Sequence, residues 1–411
     1  MTGRKKQQPL EHRMLQTAIF CLLAGGAVMV YSASSARTLL QGQGDGSAYL
    51  VKYLAYGGVG LVAMHVLGRH GLALARRFSA LMLLGAFALL VAVLIPGIGV
   101  EVNGAQRWLG AGPLRFQPAE IMKLAIVLHV AAVLTARPKL ARHLRLCVPP
   151  ILAVVVAAVG LIWLQPDLGT SLVIIGTTGA MLAVAGVPLR QMAVVAGAGA
   201  ALVLLYAMLE PYRRARLTTF LNPWADAGDA GFQAVQGQIA LGSGGFFGLG
   251  PGQSVQKIFY LPEAHTDFIL AVIGEELGVV GILGLLSLYA MIAYAGLRTA
   301  RRARDPFAKL VAAGITALIL CQALLNIYTV LGLAPLTGVP LPFISSGSTS
   351  LIVLLCGMGV LLNVASGEAA HLRAVPEPPR ERRRRDARAG RGGRDGRPRG
   401  AGHRGRRRAA G

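Results

Sequence analysis

Residues Phe268–Leu297 read FILAVIGEELGVVGILGLLSLYAMIAYAGL, thirty residues in which Glu275 and Glu276 are the only charges. Crossing a bilayer takes roughly 20 apolar residues, and in hydrocarbon every backbone polar group must be bonded within the segment. The stretch is therefore read as a membrane-spanning helix. Nine others of the same kind lie near Met14–Ser34, Ala48–Leu67, Phe78–Ile98, Ala119–Ala136, Val148–Leu164, Gly169–Val187, Met192–Leu209, Leu310–Val330 and Ser350–Ala365. The expected fold is all-α: a polytopic integral membrane protein of about ten transmembrane helices with one large extracytoplasmic loop.

Composition agrees with that reading. The 411 residues are 54% hydrophobic and 14% charged, and the mean hydropathy is +0.57, too apolar for a soluble domain of this size. The net charge of +23 would suggest nucleic acid if it covered a folded surface, but much of it sits between Arg373 and Arg408. It describes a tail, and no nucleic-acid partner is expected. Residues 368–411 are rich in Arg, Gly and Pro, cannot bury enough surface to fold, and are expected to be disordered. Such a tail is read first as an electrostatic anchor on anionic headgroups, with binding of a cytoplasmic partner or of nucleic acid as the lesser alternative. Cys21, Cys147, Cys321 and Cys356 fall in apolar runs, where neither a disulfide nor a metal site is expected. The basic N-terminus precedes an apolar run without a cleavage site, so the run is read as a retained first helix.

Basic residues in short loops stay on the cytoplasmic side. With residues 1–13 inside, Arg69, Arg76 and Arg77 fall inside, as do Arg137, Lys139, Arg142, Arg145, Arg190 and the Arg298–Lys309 cluster. Arg37, Arg107, Arg115 and the long loop 210–266 fall outside. No repeat of roughly 20 to 50 residues is visible, which weighs against an inverted-repeat transporter.

The chemistry-bearing residues collect on that outer side. In the loop Asn103–Lys123, Arg107 and Arg115 have no acid nearby in sequence and suit an external anion such as a phosphate group. Trp108 suits an interfacial anchor, and Glu120 and Lys123, one helical turn apart, either pair with each other or face the ligand. Asp167, in the turn between two spans, caps the next helix or serves chemistry. Connections longer than about 15 residues are functional or disordered. The loop after Leu209 carries aromatics and glycines, and is read as functional. It holds Arg213, Arg214, Arg216, the run Gly242–Gly250, Lys257, Glu263, His265 and Asp267. The glycine run either cradles a phosphate or provides close packing or a hinge. Asp267, at the mouth of the eighth span, is either a helix N-cap or a partly desolvated carboxylate, a better proton acceptor than an exposed one. Glu275 and Glu276, deeper in the same span, are functional candidates or partners of a basic group on a neighbouring helix.

These residues closely resemble the SEDS family, the FtsW and RodA polytopic glycosyltransferases of bacterial cell-wall synthesis. The resemblance runs from Tyr31–Ser35 through Gly104–Lys123, Gln165–Thr170 and Arg213–Gly278 to Gly338–Ser345. Ser254–Lys257 and Tyr260–Phe268 look more like the division branch, FtsW, than the elongation branch, RodA. Where the family commonly shows Ser-Tyr-Gly-Gly-Ser-Ser, this chain has Ser345-Ser-Gly-Ser-Thr-Ser350.

The resemblance implies an inverting glycosyltransferase that polymerises lipid II into glycan strands at the outer face of the inner membrane, in cell division. It implies a class B penicillin-binding protein as transpeptidase partner, together with other divisome proteins at the septum. It puts the catalytic acid at Asp267. Arg107, Arg115, Lys123, Arg213, Arg216, Lys257, Glu263 and His265 are then expected to bind substrate. A divalent cation, Mg or Mn, is a further candidate for the pyrophosphate charge, although no ligand cluster marks one. A lipid II flippase and a non-catalytic divisome scaffold stand as rival readings.

Overall fold

The computed structural model describes residues 8–40, 46–102, 104–111, 114–197, 199, 220–228, 231–258, 261 and 264–367. The chain divides into two units, Met1–Ala370 and His371–Gly411, and the second lies outside the described residues together with the tail expected at 368–411.

The first unit is a helical bundle. Its helices are α1 (Leu10–Leu40), α2 (Ala48–Leu94), α3 (Pro118–Ala136), α4 (Leu144–Cys147), α5 (Ala153–Trp163), α6 (Leu168–Ala185), α7 (Phe232–Ser243), α8 (Ile269–Arg302), α9 (Pro306–Val330) and α10 (Ser348–Ala365). Among the described residues, seven helices are long and apolar enough to cross a membrane. They are α1, α2, α3, α6, α8, α9 and α10. The expected span Val148–Leu164 is the shorter apolar helix Pro149–Trp163, and most of Met192–Leu209 lies outside the described residues.

The second and third expected spans form one helical run of 47 residues, α2. A straight helix from Gly57 to Leu90 would be about 50 Å long. Yet Gly57 packs on Leu351 near the start of α10, and Leu90 O accepts from Gln165 Nε2. These points are close together, because Thr349 Oγ1 accepts from Gln117 N and Gln117 Nε2 donates to Asp167, two residues from Gln165. The run must therefore bend. Asn363 supplies the cause: its Nδ2 donates to Gly68 O and Arg69 O, each at 2.9 Å, while its Oδ1 accepts from Leu72 N at 3.4 Å. A side-chain amide thus meets both ends of the Leu72-to-Gly68 rung of the ladder, and side-chain insertion is a recognised origin of helix kinks. The first half of α2 lies along α10 at close range; a Cβ on Gly359 would stand 2.6 Å from Met64 O, the small-residue packing that lets membrane helices approach.

The bundle has two distinct ends. At one, Glu11 of α1 meets Arg298 and Arg302 of α8, and Arg76 of α2 meets Asp305, which also caps α9 through Ala308 N. These arginines are among those expected on a common side. At the other end, here called the loop end, lie the starts of α3, α6, α8 and α10.

The loop end departs from the all-α expectation. Gly99–Val102, Ala105–Ala111 and Leu114–Phe116 form a three-stranded antiparallel sheet, β1-β2-β3. The register runs Val100↔Trp108 and then Glu101↔Gln106, so Arg107 is the extra residue of a β-bulge. Bulges re-aim side chains beside sites.

Part of the large loop packs against α8. After α7, the glycine run descends beside α8. Val279 N and Val280 N donate to Gly245 O and Phe246 O, and Leu249 N and Gly250 N donate to Glu275 O and Glu276 O. Those bonds require α8 to break, and it does so at Gly278, whose φ of 64° and ψ of −161° suit glycine alone. Of the two readings of the glycine run, close packing is the one this backbone embodies.

Candidate functional site

Asp267 lies at the loop end, immediately before α8. Phe268, not Asp267, occupies the cap position, and among the described residues no side chain caps this helix. The peptide leading into it is fixed by the loop after α9: Ser346 Oγ donates to His265 O at 3.0 Å and Ser345 Oγ to Thr266 O at 2.6 Å. Asn326 Nδ2 of α9 donates to Asp267 O at 2.8 Å. Three consecutive carbonyls are thus held by side chains from elsewhere. The Phe268 ring packs under Gly237, which brings α7 over the site.

Asp267 lines a cavity of about 180 Å3 together with Arg107, Pro166, Leu168, Gln233, Asn326 and Thr337. A methyl group on Gly338 would stand 3.4 Å from Asp267 Oδ2, so the bare backbone there keeps space open before the carboxylate. The bulged Arg107 also lines the cavity; its Nε donates to Gln165 O at 2.8 Å and its Nη2 to Pro166 O. It takes part in no ion pair among the described residues. The cavity therefore holds a carboxylate and a guanidinium that, among the described residues, is not paired with an acid. That pairing can accept a proton on one side and stabilise developing negative charge on the other.

The other expected site residues are placed differently. Arg115 is exposed on β3 and does not line the cavity. Lys123 is buried, with Nζ 2.8 Å from Glu120 Oε1 and 2.7 Å from Gln322 Oε1; the internal pair, not a face open to ligand, is what forms. Lys257 is placed in a similar way: its ammonium contacts Glu276 Oε1 at 2.7 Å, Gly252 O at 2.8 Å and Ser32 Oγ at 3.0 Å. Glu275 is satisfied beside it by Ser254 Oγ, Val255 N and Gln256 N. Both intramembrane acids are thus partnered within the bundle. His265 is buried with its ring 4.2 Å from that of Tyr49. Asp167 caps α6, accepting from Thr170 N at 3.0 Å and Thr170 Oγ1 at 2.8 Å. Arg213, Arg214, Arg216 and Glu263 lie outside the described residues.

Asn326, Gln233 and Thr337 were not anticipated. Asn326, and Gln322 one turn before it, carried a usable signal as amides inside an apolar span, where polar groups are costly.

Taken as a whole, this is a multi-pass membrane protein with a re-entrant glycine segment and a polar cavity at one end of its bundle. The model of the cell cycle protein family, that of FtsW, RodA and SpoVE, matches residues 13–370. The chain is 40% identical over 366 residues to stage V sporulation protein E of Bacillus subtilis (strain 168), covering 89% of this chain and 99% of that one. It is 40% identical over 354 residues to a probable peptidoglycan glycosyltransferase FtsW of Pseudomonas fluorescens (strain SBW25), covering 85% and 87%. Among solved structures it superposes on a chain of a peptidoglycan synthase complex that coordinates polymerization and crosslinking. The TM-score is 0.71 at 31% identity, covering 85% of this chain and 96% of that one. It also superposes on the rod shape determining protein RodA of Thermus thermophilus, with a TM-score of 0.58 at 28% identity, covering 85% and 95%. The chain belongs to this cell cycle protein family.

Proposed function

We propose that the protein is a peptidoglycan glycosyltransferase that polymerises lipid II into glycan strands, with Asp267 as general base. The observation that carries the assignment is the shared cavity of Asp267 and Arg107 at the loop end. Asp267 takes the proton of a sugar hydroxyl on the acceptor lipid II as that oxygen bonds to the anomeric carbon of the growing chain. The bond from that carbon to the undecaprenyl pyrophosphate oxygen breaks, and the configuration inverts. Arg107, without an acid partner among the described residues, faces the charge that develops on the leaving group. Arg115, Arg213 and Arg216 are further candidates for holding substrate.

Among the described residues no three His, Cys, Asp or Glu stand together as a metal cage. Magnesium is commonly held by one or two carboxylates plus substrate phosphates, a pattern that Asp267 alone fits. A divalent ion there would supply positive charge to the pyrophosphate, and no step above depends on it.

The arginines at the end opposite the cavity favour a cytoplasmic location for that end and for both termini. The cavity then opens on the outer face of the bacterial inner membrane, where lipid II is consumed. The FtsW relatives support a place at the division septum, and the synthase-complex neighbour supports a class B penicillin-binding protein as partner, among other divisome proteins.

The test is polymerisation of lipid II by purified protein in proteoliposomes, with and without the transpeptidase. Asp267→Asn is expected to yield no polymer while keeping the wild-type melting transition. Polymer from that variant would overturn the assignment of Asp267. Lipid flux without polymer from the wild type would replace the enzyme with a flippase, and neither activity would leave a scaffold.

A further inference from the structure

Asn326 is 1% exposed, and both of its amide protons are engaged: Nδ2 donates to Asp267 O and to Val339 O, each at 2.8 Å. Asp267 and Val339 both line the cavity, as does Asn326 itself. One amide therefore ties the carboxylate-bearing peptide to the Thr337–Val339 segment. Its Oδ1 is buried with no hydrogen-bond partner among the described residues. A flipped amide would aim that oxygen at two carbonyl oxygens, so the network fixes the orientation. An orphaned buried acceptor carries a desolvation penalty, and such exceptions call for an explanation. Here the oxygen is left unsatisfied because both donors are needed to hold the two carbonyls.

We infer that Asn326 is a positioning residue: it sets where the Asp267 carboxylate stands relative to the facing segment of the cavity, and does not itself touch the reacting atoms. Gln322, one helical turn earlier, anchors the next peptide in a similar way, donating to Pro340 O at 3.0 Å. Side chains from a single helix face therefore pin Asp267, Val339 and Pro340. The inference rests on the reading of Asp267 as general base.

The experiment uses purified full-length protein with lipid II. Asn326→Asp is nearly isosteric but replaces the donors with an acceptor, and Asn326→Ala removes both in case a buried carboxylate prevents folding. A misplaced base costs on the order of 10²-fold for about 1 Å. The expected result is a kcat loss of that order, with KM for lipid II unchanged and a variant that still folds, its melting temperature lowered by the two carbonyls that lose the amide's donors. Unchanged kcat, or a raised KM with kcat kept, would overturn the inference even if Asp267→Asn is inactive. A second readout is independent of activity. The Asp267→Cys thiol is alkylated with a membrane-impermeant maleimide, with and without Asn326→Ala. Faster alkylation on loss of the amide supports the tether whatever the fate of the general-base reading, and an unchanged rate overturns it.

Discussion

Lys257 Nζ and Glu276 Oε1 stand 2.7 Å apart, with their side chains 4% and 0% exposed, and Ser32 Oγ of α1 donates to the same carboxylate. The pair joins the re-entrant segment, α8 and α1 at a single point. Removing one partner of such a pair leaves an uncompensated buried charge, at a cost of roughly 3–5 kcal/mol. Lys257→Met is therefore expected to lower thermal stability in detergent sharply, and Lys257→Met with Glu276→Leu to recover most of the loss. If the single variant melts like the wild type, the pair is not holding the segment in place.

Gly278 gives a sharper test of the same region. A Cβ there would fall against Gly248 N and Phe246 O, and the backbone conformation costs a non-glycine residue about 1–3 kcal/mol. Gly278→Ala should lower the melting temperature, whereas Gly284→Ala, in the same helix with nothing within 4 Å of its Cβ, should not. Equal melting of the two variants would refute the described break in α8.

Arg107 and Arg115 looked equivalent in the sequence, and the structure separates them. Arg107→Ala should reduce polymerisation by on the order of 10² in kcat, the usual effect of removing one charge-stabilising donor. Arg107→Lys should rescue little, because an ammonium cannot reproduce the guanidinium fork across two carbonyls. Arg115→Ala, exposed on β3 and away from the cavity lining, should cost well under Arg107→Ala. Steady-state rates on lipid II decide the order, and an Arg115 effect as large as that of Arg107 would move the anion site away from the cavity.

Asp167→Ala removes the cap of α6 and the link to Gln117, with an expected cost of about 1 kcal/mol. Asp167→Asn keeps an acceptor for Thr170 N and should cost less. Differential melting measures both, and a large loss of kcat with no loss of stability would return Asp167 to the chemistry.

The spans were legible because a bilayer leaves the backbone no alternative to internal hydrogen bonds, so long apolar runs announce themselves. What the sequence concealed depends on partners far along the chain. Lys257 and Lys123 looked like cations ready for an anion, since nothing local shows that Ser32 and Gln322 await them. The sheet at Gly99–Phe116 was missed because its strands are short, and the bulge that turns Arg107 toward the cavity leaves no trace in composition. Asp267 was singled out by its place at a helix mouth and by family resemblance. Asn326, which holds its peptide, was hidden among apolar neighbours.

The amide of Asn363 that meets the ladder of α2 also sets an order of events during synthesis. Leu72 and Asn363 are 291 residues apart, so the second helix leaves the ribosome long before the side chain that completes its bend. Until α10 arrives, the carbonyls of Gly68 and Arg69 lack the donor that serves them in the finished protein. Among the described helices α10, the last, is therefore the keystone of this bend, and a nascent chain cut short before it would carry α2 without the side chain that meets it there.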